Sequence, residues 1–419
     1  MSDFNPFDHQ GMKPEEMVRD WRSLNPIPYD KASTDPYTKT RVILMNGIEV
    51  EAALFLHQFH RHCCENDLRR ELALTRRIEQ QQQKIINWQA PANESTLEVT
   101  IGYEHVAVDL TAWLAQNEPD PYVKQALDFA LLEDFDHLYR YANLLEMDQG
   151  IKAHEMIREY AEIMPGRPTI SEHRHPYESV NRPVNFRTAN ILTKLNTLII
   201  TAGEQQTMNF YMNVGNRYPT DIGRGLYLEI GMIEEQHVSH YGALIDPNLT
   251  WLESMLLHDY AEAYLYYSFY LEEQHPAIKS IWEQHLRMEI GHLHKAAELL
   301  KKYEGKEWSQ LLPATFPKPL HMKSNKNYVR QVLASQVHLG KDKEDYKNVS
   351  DLGPDHEFFA YQEKVNGDDS YVPSHKVVQD AIQKKGIDYR FQDSEHPVPE
   401  LQNRAIANKE VGRRSLALV

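Results

Sequence analysis

Apolar residues recur along this chain at intervals of three and four, and period-two alternation is almost absent, so the pattern predicts an all-α core. From about Ile43 to Trp88, helical spacing sets Leu54, Leu68, Leu72 and Ile85 among many charges. One helix of that length would exceed roughly 60 Å at about 1.5 Å per residue, so a break is expected inside it. Cys63 and Cys64 fall on this stretch and are read as buried thiols about 100° apart on a helix. Ser95-Thr96-Leu97-Glu98 has the spacing of a capping box and opens a helix to about Gln116. The turn Asn117 to Pro121 then leads into a second helix ending near Gln149. A second pair runs from Arg187 to Met212 and from Ile222 to Tyr241. A third, opened by the capping box Thr250-Trp251-Leu252-Glu253, runs to about Leu271 and continues from Ala277 to Lys302.

Prolines divide the rest. Residues 1–40 carry Pro6, Pro14, Pro26, Pro28 and Pro36 without a sustained period, which reads as an irregular N-terminal arm packed on a domain or a partner. Residues 41–186 form an N-terminal helical region that ends in a proline-punctuated crossover, 167–183, carrying His173 and His175. Residues 187–304 form a central bundle. Residues 305–419 form a mostly irregular extension, helical only from Asn327 to Leu339 and expected to wrap the core or a neighbouring subunit.

Composition narrows the function. With 45 basic against 61 acidic residues in 419, the net charge is −16, which argues against binding a phosphate backbone. No run of eighteen apolar residues occurs, so no membrane partner is expected. The first residues lack the basic and apolar segments of a secretory signal, and the expected location is cytoplasmic. Two cysteines cannot build a disulfide framework or a four-cysteine metal centre, so any metal must be held by oxygen and nitrogen.

Such ligands recur at helical spacing. Glu234 and His237, and again Glu289 and His292, stand three residues apart and so point from one helix face toward one ion. Glu204 lies in an otherwise apolar and small-residue stripe with Thr197, Ile200, Met208 and Tyr211, and Glu262 lies among Met255, His258, Leu265, Tyr266 and Phe269. A bare carboxylate on a core-facing stripe is costly unless something pairs with it. The intervals agree: Glu204 to Glu234 is 30 residues and Glu262 to Glu289 is 27, so two hairpins offer matching sets.

A Glu from each of two helices with a Glu-x-x-His from each of two others resembles the ferritin-like di-iron carboxylate superfamily, over residues 187–304. That resemblance implies a ferritin-like helical bundle with additional N-terminal helices. It also implies two iron ions, with manganese as second choice, held by Glu204, Glu234, His237, Glu262, Glu289 and His292. Glu204 and Glu262 would be terminal ligands, Glu234 and Glu289 bridging ligands, and the histidines the nitrogen donors. One departure from the superfamily pattern concerns topology. About nine residues, Gly242 to Thr250, separate the second and third pairs, where a long crossover is usual. Fully extended, they reach about 30 Å at best. The first pair supplies another choice of hairpin: Glu104, with Glu133, Asp134 and His137 on the partner helix, could join Glu204, Glu234 and His237.

His258 and His285 precede Glu262 and Glu289 by one turn and could orient them, and Tyr227 and Tyr266 stand close in sequence to the ligands. No catalytic residue is assigned beyond the ligands. No phosphate loop, dinucleotide fingerprint or nucleophile elbow occurs, so electrons would come from a separate donor or from the substrate. The expectation is an oxidoreductase that activates O2 or peroxide toward an unknown small substrate, in a chain that self-associates as a homo-oligomer. Two alternatives are a ferroxidase or iron-handling protein, whose acidic charge would attract cations, and a non-catalytic helical scaffold. The scaffold would need Arg or Lys facing the inward carboxylates, and none of these stripes carries one.

Overall fold

A computed structural model describes residues 3–385 of the chain apart from 159, 168, 368 and 369. The remainder of the C-terminal extension, with its DSEHPVPE stretch, lies outside the described residues. The fold is mostly helical, as the periodicity predicts. In chain order the helices are α1 (Pro14–Met17), α2 (Pro36–His62), α3 (Asn66–Asn87), α4 (Thr96–Asn117), α5 (Pro121–Gln149) and α6 (Ala153–Met156). They continue as α7 (Ile191–Val214), α8 (Asp221–Gly242), α9 (Trp251–Glu272) and α10 (Pro276–Glu304). After α11 (Lys326–Gln336), strands β1 (Leu339–Asp342) and β2 (Asp345–Asn348) pair antiparallel, and α12 (Glu357–Asn366) and α13 (Pro373–Lys385) follow. The extension is therefore more ordered than expected up to Lys385.

Local chemistry sets the helix ends. Ser95 accepts from the Glu98 amide at 3.2 Å while Glu98 accepts from the Ser95 amide at 2.7 Å, and Thr250 and Glu253 repeat the exchange at 3.2 and 3.0 Å. The break expected between Ile43 and Trp88 falls at Cys63-Cys64-Glu65, so these cysteines are not buried helical thiols; Cys63 is half-buried and Cys64 exposed.

Two compact units are interleaved along the chain. The first comprises residues 1–93, 183–206 and 245–322, and so holds α1, α2, α3, the start of α7, α9 and α10. Within it α2 packs on α3 and on α9, α9 on α10, and α10 on α3. The N-terminal arm lies against α10: Met12 donates its amide to the Arg287 carbonyl at 2.8 Å. A Cβ on Gly291 would stand 2.3 Å from the Met12 carbonyl oxygen, so the backbone contact requires glycine there. The second unit comprises residues 94–182, 207–244 and, among the described residues, 323–385, and holds α4, α5, α6, the end of α7, α8 and everything described from α11 on. Its core gathers Val108, Leu131, Leu138, Tyr141, Tyr211, Tyr227 and Ile230, with Val332 and Val377 from α11 and α13. The consecutive bundle expected over 187–304 is thus divided, α8 going to one unit and α9 and α10 to the other. The short connection between α8 and α9, cramped as a crossover within one bundle, leads out of one unit and into the other.

Candidate metal centres

Each unit buries its own cluster of carboxylates and imidazoles. In the first, α2 contributes Glu49, α3 contributes Glu79 and Gln82, α9 contributes Asp259 and Glu262, and α10 contributes Glu289 and His292. All are buried. Helical spacing produces the convergence: Glu79 and Gln82, like Glu289 and His292, stand three residues apart on one face. Ligand atoms of Glu79, Glu289 and His292 lie within 4.8 Å of one another, as do those of Glu49, Glu79 and Glu262. Glu79 belongs to both groups, the position a shared carboxylate would take between two ions.

The hydrogen bonds leave this cluster incomplete. His292 Nδ1 lies 2.8 Å from Glu79 Oε1 and 3.3 Å from Glu289 Oε2. The Gln82 amide donates to Glu289 Oε1 at 2.6 Å and to Glu49 Oε1 at 3.3 Å, and the Tyr266 hydroxyl also donates to Glu49. Glu49 Oε2, Glu79 Oε2, both oxygens of Glu262 and His292 Nε2 are buried without a hydrogen-bond partner among the described residues. Burial pushes Glu49 well above the usual carboxylate range, and Glu79 and Glu289 push it further. Glu262 is raised in the same way by burial and then by Glu79, Glu289 and Glu49, and Asp259 is raised by burial before its neighbours act. Burial opposes charge on His292, yet Glu79 and Glu289 outweigh it and hold the imidazole well above its ordinary value.

In the second unit α4 brings Glu104, α5 brings Glu133, Asp134 and His137, and α8 brings Glu234 and His237, all buried. Glu104, His137 and Glu234 form one group of ligand atoms within 4.8 Å, and Asp134, Glu234 and His237 meet the same distance, so Glu234 is common to both. His137 Nδ1 lies 3.0 Å from Glu234 Oε1, and His237 Nδ1 lies 3.1 Å from Asp134 Oδ1 and 3.4 Å from Glu234 Oε2. On its far side His237 Nε2 lies 2.8 Å from Glu133 Oε2. A carboxylate behind a ligand imidazole fixes its tautomer and aims the other nitrogen.

This cluster carries cations that the sequence stripes do not show. Arg174 of the crossover pairs with Glu133, and Arg167 approaches it at 3.6 Å. Arg140 on α5 donates to both oxygens of Glu172, at 2.8 and 2.6 Å, and its Nε stands 3.0 Å from Asp136 Oδ2. Burial would raise Glu133, but Arg174, His237 and Arg167 hold it down to about 2. His137 is pushed well below its ordinary value by burial, then by Arg140 and His237.

The expected site therefore needs correction. The two Glu-x-x-His motifs do not share a unit: Glu262, Glu289 and His292 join Glu49 and Glu79, while Glu234 and His237 join Glu104, Asp134 and His137. Of Glu133 and Asp134, the second faces the ligand cluster and the first is taken by arginine. Glu204 is buried on α7, just before Thr207, where that helix passes from the first unit into the second. His258 does not orient Glu262; it lies 2.9 Å from Glu51 and 2.8 Å from the Ser254 carbonyl. His285 lies 3.1 Å from the Tyr266 hydroxyl, which bonds Glu49 rather than the expected ligands. Tyr227 meets Thr100 at 2.7 Å. His175 caps a short turn through the Tyr177 amide at 3.3 Å, whereas His173 lies 3.7 Å from Glu229.

Glu49, Glu79 and Gln82 are the residues the sequence reading missed. Glu79 to Gln82 has ligand spacing but ends in an amide, which a search for histidine passes over. No protein-family model, curated protein or solved structure matches this chain.

Proposed function

We propose that this chain is a di-metal carboxylate protein of ferritin-like kind, with a two-iron centre in the first unit and oxidoreductase chemistry toward O2 or peroxide. One observation carries the reading: Glu49, Glu79, Glu262 and Glu289 converge in a buried space with unpartnered oxygens, and no arginine or lysine pairs with any of them among the described residues. Buried anions of this number require a compensating charge, and an oxygen-rich shell with one imidazole suits iron or manganese better than copper or structural zinc. Glu49, Glu79 and Glu262 would hold one ion and Glu79, Glu289 and His292 the other. Bound iron would supply electrons for reducing O2 or peroxide. The chain's own part is to fix the carboxylates, keep bulk water from them and hold protons near them. Gln82 clamps Glu289 and Glu49, and the Tyr266 hydroxyl bridges Glu49 and His285, which links the cluster to a second proton-bearing group.

The test is elemental analysis of protein reconstituted with ferrous ion, followed by oxygen-uptake measurements. Two irons that require Glu79 and Glu262, with oxygen uptake limited by added reductant or substrate, support the reading. Sustained uptake with every further addition of ferrous ion would favour iron handling. Absence of uptake by protein shown to hold iron would overturn the oxidoreductase assignment.

A further inference from the structure

A cavity of about 330 Å³ opens in the second unit between α8, the crossover, α12 and residues 371–373. Its walls are mostly apolar: Leu228, Met232, Val372 and Pro373 line it with the rings of Tyr361 and Tyr371. Leu228 is 71% exposed and Met232 53%, so these side chains face open space and not a packed core. Pockets of this size and composition hold small organic molecules and use a few placed polar groups to fix their orientation.

The polar group placed here is Glu229, which is only 7% exposed. Oε2 accepts from both the amide and the hydroxyl of Ser374, each at 2.8 Å. Ser374 Oγ in turn accepts from Arg140 Nη1 at 2.5 Å, so the carboxylate is locked in position. Oε1 has no hydrogen-bond partner among the described residues; His173 Nε2 stands 3.7 Å away. At that distance His173 offers charge without a hydrogen bond, so Oε1 keeps its acceptor capacity for a donor from outside. Burial alone would raise Glu229, but His173 and Arg140 hold it down to about 2, so it presents full negative charge at neutral pH. Glu235, also lining the cavity, adds a second carboxylate. The guanidinium among the described lining residues, Arg174, is paired with Glu133 and lies over the Phe129 ring at 5.0 Å.

We infer that this cavity is a binding site for a small organic ammonium: an apolar body on Leu228 and Met232, and a protonated amine donating to Glu229. Tyr361 and Tyr371 add aromatic faces suited to a cation. Among the described residues none of the candidate metal ligands lines the cavity.

Calorimetric titration of the full chain with 4-phenylbutylammonium, 4-phenylbutanol and 4-phenylbutanoate tests the inference, since the three share one body and differ in the head. The amine is expected to bind at least tenfold more tightly than the alcohol, and the carboxylate least tightly. Glu229→Gln should erase the preference for the amine, and Leu228→Ser, at an exposed position that leaves folding intact, should weaken both amine and alcohol. Binding of none of the three at millimolar concentration would overturn the inference. So would an amine preference that survives Glu229→Gln, or a preference for the carboxylate, which would transfer recognition to Arg174. Should Glu229→Gln fail to fold by circular dichroism, the head-group order and its sensitivity to Leu228→Ser still decide.

Discussion

Each unit buries a cluster of candidate ligands, and the second adds buried carboxylates beside it that are paired with arginine. Around Glu49, Glu79, Glu262 and Glu289 the first unit places amide, hydroxyl and one charged imidazole, and leaves several carboxylate oxygens unpaired. Around Glu133, Glu172 and Asp136 the second unit places three buried arginines, two of them delivered by the crossover and one by α5. The consequence appears where two arginines meet one carboxylate: Glu49 and Glu262 are pushed up and Glu133 is held at about 2, while Glu172, which meets Arg140, stays raised by its burial. A buried carboxylate by itself therefore says little about metal binding. What separates a candidate ligand from a structural ion pair is whether the fold brings a guanidinium to it.

The largest effect should come from removing a cation in the second unit. Arg140→Ala strands Glu172 and Asp136, and the loss of stability is expected to be about 3–5 kcal/mol, read from urea unfolding and from faster amide exchange in α5. Adding Glu172→Gln should recover part of it; equal stability of the single variant and the parent would remove the contrast. The opposite sign is expected in the first unit. Glu262→Gln relieves an unpaired buried carboxylate and should stabilise the metal-free protein by about 1–3 kcal/mol at pH 8, while lowering its iron content. Destabilisation of the metal-free variant would show that Glu262 is compensated as fully as Glu133.

The units should also respond oppositely to pH when metal is absent. Glu49, Glu262 and Asp259 are raised on folding, so the folded first unit keeps protons that the unfolded chain releases above about pH 4. Their stabilisation is lost as pH rises through those raised values, and His292, also raised, contributes fully below about 6.5 and loses its share as pH rises through its own raised value. In the second unit His137 is lowered, so stability falls as pH drops below about 6.5, and Glu133 and Glu229, both held to about 2, lose theirs below about 4.5. Glu172, raised chiefly by burial, opposes that trend in part. Hydrogen-exchange protection, taken relative to the intrinsic rate at each pH, should therefore fall in α9 and α10 between pH 5 and 8, and rise in α5 and α8. The same direction in both units would contradict the comparison, and added ferrous ion should abolish the fall in the first. The smallest effect is that of Tyr266→Phe, which removes one hydrogen bond to Glu49 and should cost about 0.5–1.5 kcal/mol, measured by thermal unfolding, with iron still bound.

Sequence alone determined what depends on neighbours in the chain. The helical class, the capping boxes at Ser95 and Thr250, and the three-residue spacing of Glu234 with His237 and Glu289 with His292 are local properties, set by backbone hydrogen bonding and by helical periodicity. Tertiary structure decided which helices meet. Glu49 and Glu79 come to Glu289 and His292 because α2 packs on α9 and α3 on α10, contacts some two hundred residues apart that no periodicity encodes. It decided the fate of Glu133 against Asp134 as well. Adjacent residues on a helix point about 100° apart, and only the fold determines that Glu133 meets Arg174 and Nε2 of His237 while Asp134 meets Nδ1 of the same ring.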